Sequence, residues 1–324
     1  MHCIIGQMAP KKLKLVFVLD PLQKLSWSDD TSCSIIAEAC KRNYDTFALE
    51  MENTFLKNSE VLASVKKIQI AAPAGICILE EIKEFKLAGA DVIFVRKEPP
   101  FDSEYLYLTQ LLELIKNETF ILNSPSGLRE TNEKLSILEF PEFITSTFVS
   151  PNPALILQFA RGLGERIIVK PLDQKGGQGI HRFDPKQTDL EENLRRVTQN
   201  GSKTIMAQKY ISAVEKTGDV RVLLLGGKIL GAFTRVPPEG KFIANMDQGG
   251  VAVKHALTAV EEKISETVGQ KLLTKGHHFV GIDIIGERLT EINVTSPAGI
   301  FEIDQLHGTR TSRQVVDYLE KQVR

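Results

Sequence analysis

The sequence is poor in the features that mark several large classes of protein. It has only four cysteines in 324 residues, without the spacing of a disulfide framework or a zinc site, which indicates a reducing compartment. No stretch approaches the roughly 18 uncharged apolar residues of a membrane-spanning helix. Charge of one sign is not in excess, because 40 basic and 41 acidic residues leave a formal net charge of -1. That balance argues against nucleic acid or an anionic membrane as a partner. We therefore expect a cytoplasmic enzyme or binding protein.

The composition that is present is that of a globular protein, with 42% hydrophobic and 25% charged residues. Short apolar runs alternate with helical patterns through the first 125 residues, which predicts a parallel sheet covered by helices. The predicted strands are 13–19, 46–51, 67–71, 91–96 and 119–123, and the predicted helices are 79–88, 103–116 and one that begins at Asp30-Thr31-Ser32. Ligand loops belong at the carboxyl ends of such strands, where Asp20 and Arg96 fall.

The pattern changes after Pro125, and strands dominate from residue 204 onward. We predict helices at 126–138, from Pro153 and at 258–275, strands at 143–149, 166–171, 179–183, 204–210, 219–225 and 228–236, and a final strand pair. Gly226-Gly227 marks a hairpin turn between two of these strands. The loop 237–250 is long enough to act as a mobile lid.

The strongest local signal for chemistry is the segment Asp283-Ile-Ile-Gly-Glu-Arg-Leu-Thr-Glu291-Ile-Asn293. An odd-length loop centred on Glu287 would place Asp283 directly opposite Glu291, with Asn293 on the same face about 7 Å further along. Two carboxylates and an amide oxygen suit Mg²⁺ with phosphate ligands, and like charges facing each other would otherwise be destabilising. The alternative is that these residues line the solvent face of a hairpin.

A lysine followed by glycines is a second, weaker signal. Lys170 ends an apolar strand, and Gly176 and Gly177 follow in a flexible loop. The lysine supplies a point charge, and glycine lets backbone N–H groups approach phosphate oxygens. The Walker A and Rossmann fingerprints are both absent. A surface hairpin turn explains the same residues at least as well.

Three further cations each have two possible roles. Lys134 lies on a predicted helix, where the pattern alone favours a solvated side chain paired with Glu130. Arg221 and Arg235 lie on strands rich in valine and leucine, so each guanidinium group needs a partner. That partner is either an anion bound in a cleft or a structural carboxylate. No Ser-His-Asp arrangement can be argued from the order of residues.

Several short segments, taken in order, resemble the bacterial type of glutathione synthetase, within the ATP-grasp ligases. The similarity runs from about residue 13 to the C-terminus. It rests on Asp20-Pro21, Asp30-Thr31-Ser32, Arg96 through Asp102, Leu128-Arg129, Asn132 through Leu135, Lys170 through Asp173, Met206-Ala207-Gln208, Asp219 with Arg221, and Gly281 through Pro297.

The resemblance implies an α/β and α+β architecture, with an N-terminal parallel-sheet domain followed by a two-part ATP-grasp fold. The expected domains are an N-terminal substrate domain at 13–125, a central lid domain at 126–201 and a C-terminal domain with a metal site at 202–324. Residues 1–12 have no counterpart, and we expect them to be disordered. Such families form dimers or tetramers, so we also expect a homo-oligomer.

The activity implied is the ATP-dependent joining of γ-glutamylcysteine to glycine through an acyl-phosphate, with release of ADP and phosphate. Motif matches assign Lys134, Lys170, Gly176, Gly177, Gln208, Lys209, Tyr210 and Ile211 to ATP, which replaces the solvated interpretation of Lys134. They assign Asp283, Glu291 and Asn293 to two Mg²⁺ ions, with Mn²⁺ as an alternative, and Arg221 and Arg235 to catalysis on the transferred phosphate. Asp20, Ser32, Arg96, Asp102 and Ser296 are assigned to the substrates.

Two departures from the family pattern bear on specificity. Ile243 and Phe301 stand where the family has arginine. Losing two cations from a pocket for anionic substrates would relax or switch specificity, since a charged hydrogen bond contributes about 1.5–3 kcal/mol. A paralogous ATP-grasp amide ligase with another acid or amine is therefore the alternative. A nucleotide-binding regulatory protein is a third possibility, and the retained metal ligands, lysines and arginines argue against it.

Overall fold

The computed structural model describes residues 12–71 and 75–323, so residues 1–11 of the predicted disordered extension lie outside the described part. The first sheet and its helices come from the N-terminal third of the chain. They are β1 (Lys14–Leu19), α1 (Thr31–Lys41), β2 (Asp45–Glu50), β3 (Thr54–Lys57), β4 (Glu60–Ala71), β5 (Gly75–Lys86), β6 (Val92–Val95), α2 (Ser103–Glu113) and β7 (Phe120–Leu122).

The parallel sheet predicted from the alternating pattern is confirmed for four strands. β1 lies between β2 and β6, β7 follows β6, and all these neighbours run parallel. The helix predicted to begin at Asp30-Thr31-Ser32 is confirmed as α1, because the Asp30 carboxylate accepts a hydrogen bond from Cys33 N at 3.0 Å. The antiparallel strands β3, β4 and β5 extend this sheet and make it mixed.

The helix predicted at 79–88 is wrong, because residues 79–86 belong to strand β5 and a short 3-10 helix follows at Leu87–Gly89. Leu79, Ile82 and Phe85 are spaced three residues apart, which imitates a helix face. Antiparallel pairing with β4 favours a strand here, since it places Lys66 opposite Glu81 and Lys67 opposite Glu80. Two register shifts along this hairpin obscure the two-residue period of the strand.

The remaining elements form two antiparallel sheets. The four-stranded sheet, in the order β10-β9-β11-β8, and its surroundings comprise α3 (Pro125–Glu130), β8 (Thr147–Ser150), α4 (Pro153–Leu163), β9 (Ile167–Pro171), β10 (His181–Phe183), α5 (Leu190–Val197) and β11 (Ile205–Lys209). The five-stranded sheet, in the order β14-β13-β12-β15-β16, comes with α6 (Val214–Thr217), β12 (Asp219–Leu225), β13 (Lys228–Val236), β14 (Val251–Lys254), α7 (Ala259–Thr274), β15 (Phe279–Ile285), β16 (Arg288–Asn293), α8 (Ile300–His307) and α9 (Thr311–Val323).

The helix predicted at 126–138 is interrupted before Lys134. α3 ends at Glu130, and a 3-10 helix follows at Leu135–Glu139. The Asn132 side chain causes the break, because its Oδ1 accepts hydrogen bonds from the backbone N–H groups of Lys134 and Leu135, both at 3.0 Å. Lys134 therefore points away from Glu130 and into the interior of the protein.

The first and five-stranded sheets share their hydrophobic cores, whereas the four-stranded sheet has one of its own. Val16 and Ile93 of the first sheet belong to the same buried cluster as Val222 and Ile282. The four-stranded sheet packs on α4 and α5 through a separate cluster and reaches the shared one through Met206 on β11. Among the described helices, none is both long and apolar enough to cross a membrane.

The buried Asn123 side chain joins the end of β7 to the five-stranded sheet. Its Nδ2 donates to the carbonyls of Phe279 and Val294 at 2.8 and 2.6 Å. Its Oδ1 accepts from the backbone N–H groups of His278 and Phe279 at 2.8 and 2.9 Å. One amide thus satisfies four backbone groups, which fixes the first sheet against the β15–β16 hairpin.

We expect Asn123→Ala to lower the free energy of unfolding by about 3 kcal/mol, because it leaves several buried backbone groups without partners. Urea denaturation measures this loss. The exposed Asn117, in the turn between α2 and β7, gives the matched control, since its replacement by alanine should change stability by less than about 0.5 kcal/mol. Equal effects of the two substitutions would contradict the role of Asn123.

Candidate active site

The register of the five-stranded sheet places charged residues in rows. Arg221 on β12 is opposite Asp283 on β15, and Asp283 is in turn opposite Glu291 on β16. One step along the sheet, Asp219 on β12 is opposite Arg235 on β13. The pairs Arg221–Asp283 and Asp219–Arg235 unite opposite charges and stabilise the sheet, whereas Asp283 and Glu291 face each other as like charges and need cations beside them.

The predicted pairing of Asp283 with Glu291 is confirmed, although the turn differs from the one expected. Gly286 and Glu287 form a two-residue turn with positive φ at both positions, 54° and 61°. The turn pairs Ile285 with Arg288, and a bulge between Asp283 and Ile284 then shifts the register. The bulge makes Thr290 the extra residue, and this brings the two carboxylates opposite each other.

Asp283 lies between two guanidinium groups. Arg221 binds it in a bidentate pair, with Nε to Oδ1 at 2.5 Å and Nη2 to Oδ2 at 3.0 Å. Arg235 Nη2 lies 3.0 Å from Asp283 Oδ2 and also contacts Asp219. Burial alone would raise the pKa of Asp283, but the two arginines outweigh it and hold that pKa well below its usual range. Of the two partners that the sequence allows for Arg221 and Arg235, a bound anion or a structural carboxylate, the structure shows a carboxylate for both.

Two buried polar atoms of this cluster have no hydrogen-bond partner within the described residues. They are Arg235 Nε, a donor, and Asp219 Oδ1, an acceptor. Burial raises the pKa of Asp219 to about 6 against the opposing effect of Arg235. Orphaned buried groups are rare in folded proteins, so these two atoms mark a place where a polar ligand fits.

The two lysines predicted to bind phosphate reach the same cluster. Lys134 Nζ lies 3.0 Å from Glu291 Oε1 and 2.6 Å from the Gln174 carbonyl. Lys170 Nζ donates to the Thr290 carbonyl at 3.3 Å and forms no ion pair with the described residues. Burial lowers the pKa of Lys170. A cation held with so little compensation is suited to an incoming anion.

A largely apolar slot adjoins the charged cluster and separates the four-stranded sheet from the five-stranded one. Its walls include Ile168, Ile180, Tyr210, Ile211, Val214 and Ile285. Gln208 also lines the slot, and its amide nitrogen donates to Thr147 Oγ1 at 2.9 Å. The Lys209 ammonium pairs with Glu165 at 2.7 Å, and Lys209 is among the residues that line the slot. Apolar walls with a few polar groups beside them suit an aromatic base.

Two loops meet over the slot. Gly176 and Gly177 have positive φ, 65° and 76°, which glycine adopts without strain. A Cβ on Gly177 would lie 2.8 Å from Cγ2 of Ile243, and a Cβ on Gly176 would lie 2.9 Å from Oδ2 of Asp247. Larger residues would therefore separate the glycine loop from the loop 237–250.

A second, polar cleft opens on the other side of the cluster, towards the first sheet. Asp20, Arg96 and Ser296 line it, and Ser32 supports it by accepting from Arg96 Nε at 3.0 Å. The Asp20 carboxylate binds Lys97 Nζ at 2.8 Å and the Glu98 backbone N–H at 3.0 Å. Asp102 lies elsewhere, at the N-cap of α2, where it accepts from Tyr105 N at 2.9 Å.

Arg96 is the notable cation of this cleft. It is 3% exposed, donates to the Pro297 carbonyl at 2.9 Å and packs against the rings of Phe94 and Phe279. It forms no ion pair with any residue in the described ranges. Burial lowers the pKa of Arg96, although the group stays charged in proteins. An anionic group entering the cleft would compensate it.

Asp283, Glu291 and Asn293 form an oxygen-rich set of the kind that Mg²⁺ prefers. Asn293 Nδ2 lies 3.4 Å from Asp283 Oδ2, so all three side chains are neighbours. Within residues 12–71 and 75–323, no group of three or more His, Cys, Asp or Glu side chains is placed to hold a metal. The third oxygen donor of the set is therefore the side-chain amide of Asn293. Two carboxylates and an amide oxygen fit a hard divalent cation.

Sequence reasoning did not assign Asp219 or Glu133 to the site. Asp219 shares a strand face with Arg221, two residues away, and that spacing is a signal that could have found it. Glu133 Oε1 accepts from Val294 N, Thr295 N and Thr295 Oγ1 at 2.9, 3.1 and 2.8 Å, and it fixes the chain after β16. Only its position beside Lys134 hints at this in the sequence.

Comparison with known proteins places this geometry in a family. The model for the N-terminal domain of prokaryotic glutathione synthetase matches residues 13–129, and the model for its ATP-grasp domain matches residues 133–308. Glutathione synthetase of Gloeobacter violaceus is 39% identical over 319 residues, which cover 96% of this chain and 98% of the relative.

Solved structures agree on the fold. D-cycloserine synthetase superposes with a TM-score of 0.67 at 12% identity, and the match covers 96% of this chain and 100% of that one. A RimK-domain ATP-grasp protein from Sphaerobacter thermophilus superposes with a TM-score of 0.62 at 13% identity, covering 94% and 98%. The predicted combination of an N-terminal α/β domain with an ATP-grasp fold is confirmed. The chain belongs to the prokaryotic glutathione synthetase family.

Proposed function

We propose that this protein joins γ-glutamylcysteine to glycine at the expense of ATP, forming glutathione, ADP and phosphate. The observation that carries the proposal is the convergence of four cations and the Asp283–Glu291–Asn293 set between an apolar slot and a polar cleft. Curated relatives of nearly the same length are named glutathione synthetase, which supports the same substrates.

The slot is the proposed site of ATP. The base would pack between the apolar walls and bind backbone groups near Lys209 and Ile211, with Gln208 at its edge. The phosphates would extend towards Lys134 and Lys170, beneath the Gly176–Gly177 loop. Each lysine supplies a positive charge in surroundings that exclude much of the water, where electrostatic attraction is strong.

The cleft is the proposed site of the acid and the amine. Arg96 would bind a substrate carboxylate, with Ser32 holding its guanidinium group, while Asp20 and Ser296 contribute polar contacts. A carboxylate is a poor acyl donor, so its conversion to an acyl-phosphate by ATP makes attack by the glycine amine possible. The chain needs no nucleophile of its own for this reaction, and its contribution is positioning and charge neutralisation.

Arg221 and Arg235 would stabilise the phosphate as it is transferred. Both now bind Asp283, and both would turn part of their hydrogen-bonding capacity to the incoming phosphate oxygens, beginning with the unpartnered Nε of Arg235. We propose Mg²⁺, as two ions, for the Asp283–Glu291–Asn293 set, where the metal would neutralise phosphate charge when bound. A dimer or tetramer stays a prediction.

We expect ADP release only when ATP, γ-glutamylcysteine and glycine are all present. A coupled ADP assay with each substrate omitted in turn measures this. Turnover that requires another acid or amine, with none on this pair, would favour the paralogous ligase suggested by Ile243 and Phe301. Nucleotide binding without any turnover would favour a regulatory protein instead.

Asp283→Asn and Glu291→Gln should both abolish turnover, a loss beyond about 100-fold, because the site loses carboxylate charge. Their effects on stability should differ. Asp283→Asn removes the partner of two buried arginines and should cost about 3 kcal/mol in unfolding free energy. Glu291→Gln, whose side chain is 27% exposed, should cost about 1 kcal/mol.

The matched control is Glu191→Gln, which breaks an exposed ion pair with Arg195 on α5, where neither residue lines the slot or the cleft. It should leave turnover within about twofold and stability within about 0.5 kcal/mol. A folded Glu291→Gln enzyme with near-normal turnover would contradict the assignment of Glu291 to the metal.

A further inference from the structure

We propose that Arg182 is a positioning residue that fastens the loop 237–250 over the nucleotide slot and thereby slows nucleotide release. The proposal rests on the proposed function, since it takes the slot as the site of ATP and ADP. Arg182 lies on β10 and does not line the slot, so it acts through other residues.

The Arg182 guanidinium group lies over two aromatic rings. Its central carbon lies 4.6 Å from the ring centroid of Phe242 and 5.1 Å from that of Tyr210. Both rings line the slot, and they meet edge to face with their centroids 6.2 Å apart. Arg182 therefore backs the aromatic part of the slot wall from outside.

Hydrogen bonds hold the guanidinium group in this position. Arg182 Nη1 donates to Glu215 Oε1 at 2.5 Å and to the Tyr210 hydroxyl at 3.1 Å. The Tyr210 hydroxyl donates to the same Glu215 oxygen at 2.5 Å. We name the four residues Arg182, Tyr210, Glu215 and Phe242 the clip.

The clip adds to the contacts between the four-stranded sheet and the loop 237–250 of the five-stranded sheet. Phe242 belongs to the loop between β13 and β14 of the five-stranded sheet, whereas Arg182 belongs to the four-stranded sheet with its own core. Ile243, the next residue of the loop, packs on Gly177 in the same direction. Ala244 of the loop is buried in one cluster with Ile168 and Tyr210, so releasing Arg182 would loosen the loop and let it open more often.

The contacts of Arg182 are weak enough for the loop 237–250 to open again after it has closed. Arg182 and Glu215 side chains are 30% and 42% exposed, so their ion pair is screened by water. Two cation–π contacts of this partly exposed arginine together change an equilibrium by about tenfold, which corresponds to about 1.4 kcal/mol. A closure of this size opens often enough to let product leave.

The test compares Arg182→Ala with wild type in three measurements. In the nucleotide-free enzyme, trypsin should cut after the exposed Lys241 about tenfold faster, as judged by the peptide that begins at Phe242. The fluorescent analogue mant-ADP should dissociate about tenfold faster in stopped flow. The KM for ATP should rise by a similar factor while kcat stays within about twofold.

Three further variants separate stacking from charge and from general destabilisation. Arg182→Lys keeps the charge without the planar stack and should recover only part of the effect. Phe242→Leu should imitate Arg182→Ala, and adding Arg182→Ala to it should bring little further change. Arg195→Ala, which removes an exposed arginine from α5 of the same sheet unit, is the matched control and should resemble wild type.

Wild-type rates of Lys241 cleavage and mant-ADP release in a folded Arg182→Ala enzyme would overturn the proposal. A uniform rise in cleavage at all sites, with a lower melting temperature and a lower kcat, would also overturn it by showing a general structural role. Failure of wild type to bind mant-ADP would instead contradict the proposed function, and the trypsin measurement would still decide whether Arg182 holds the loop.

Discussion

The bidentate pair between Arg221 and Asp283 joins the central strand β12 of the five-stranded sheet to its neighbour β15 and neutralises a buried carboxylate. Arg235 binds the same carboxylate from β13, so one side chain holds three strands in register. Removing two charges from water is costly, and only good geometry with further hydrogen bonds compensates it. The position of Glu291, Thr290 and, through them, both lysines depends on this register.

The cluster is arranged so that its charges can exchange partners without leaving the site. Its carboxylates pair with the arginines and Lys134, while Lys170 and Arg96, on either side, form no ion pair with the described residues. On binding, substrate anions would pair with the arginines and lysines, and a divalent cation would pair with the carboxylates. Little charge has to be moved into the low-dielectric interior, which favours a site assembled before its ligands arrive.

The parts of this site that the sequence predicts are those set by short-range rules. A turn between apolar runs was enough to place Asp283 opposite Glu291, although the bulge at Thr290 was not visible. Features that depend on long-range contacts could not be predicted from the sequence. Lys134 contacts Glu291 because Asn132 interrupts a helix, and β5 is a strand because it pairs with β4. Local pattern gave Lys134 the wrong partner, Glu130 in place of Glu291, and its binding of ATP stays a prediction from the family resemblance.

The joint at Asn123 has a consequence for biosynthesis. Its amide binds carbonyls 156 and 171 positions further along the chain. At roughly 5–20 residues per second, translation takes about 10–30 s to cover that distance, and the N-terminal strands have time to pair meanwhile. The shared core and the charged rows are closed only when β16 emerges. A ribosome that stalls before residue 294 therefore holds a nascent protein whose first sheet still exposes the apolar surface meant for the last hairpin.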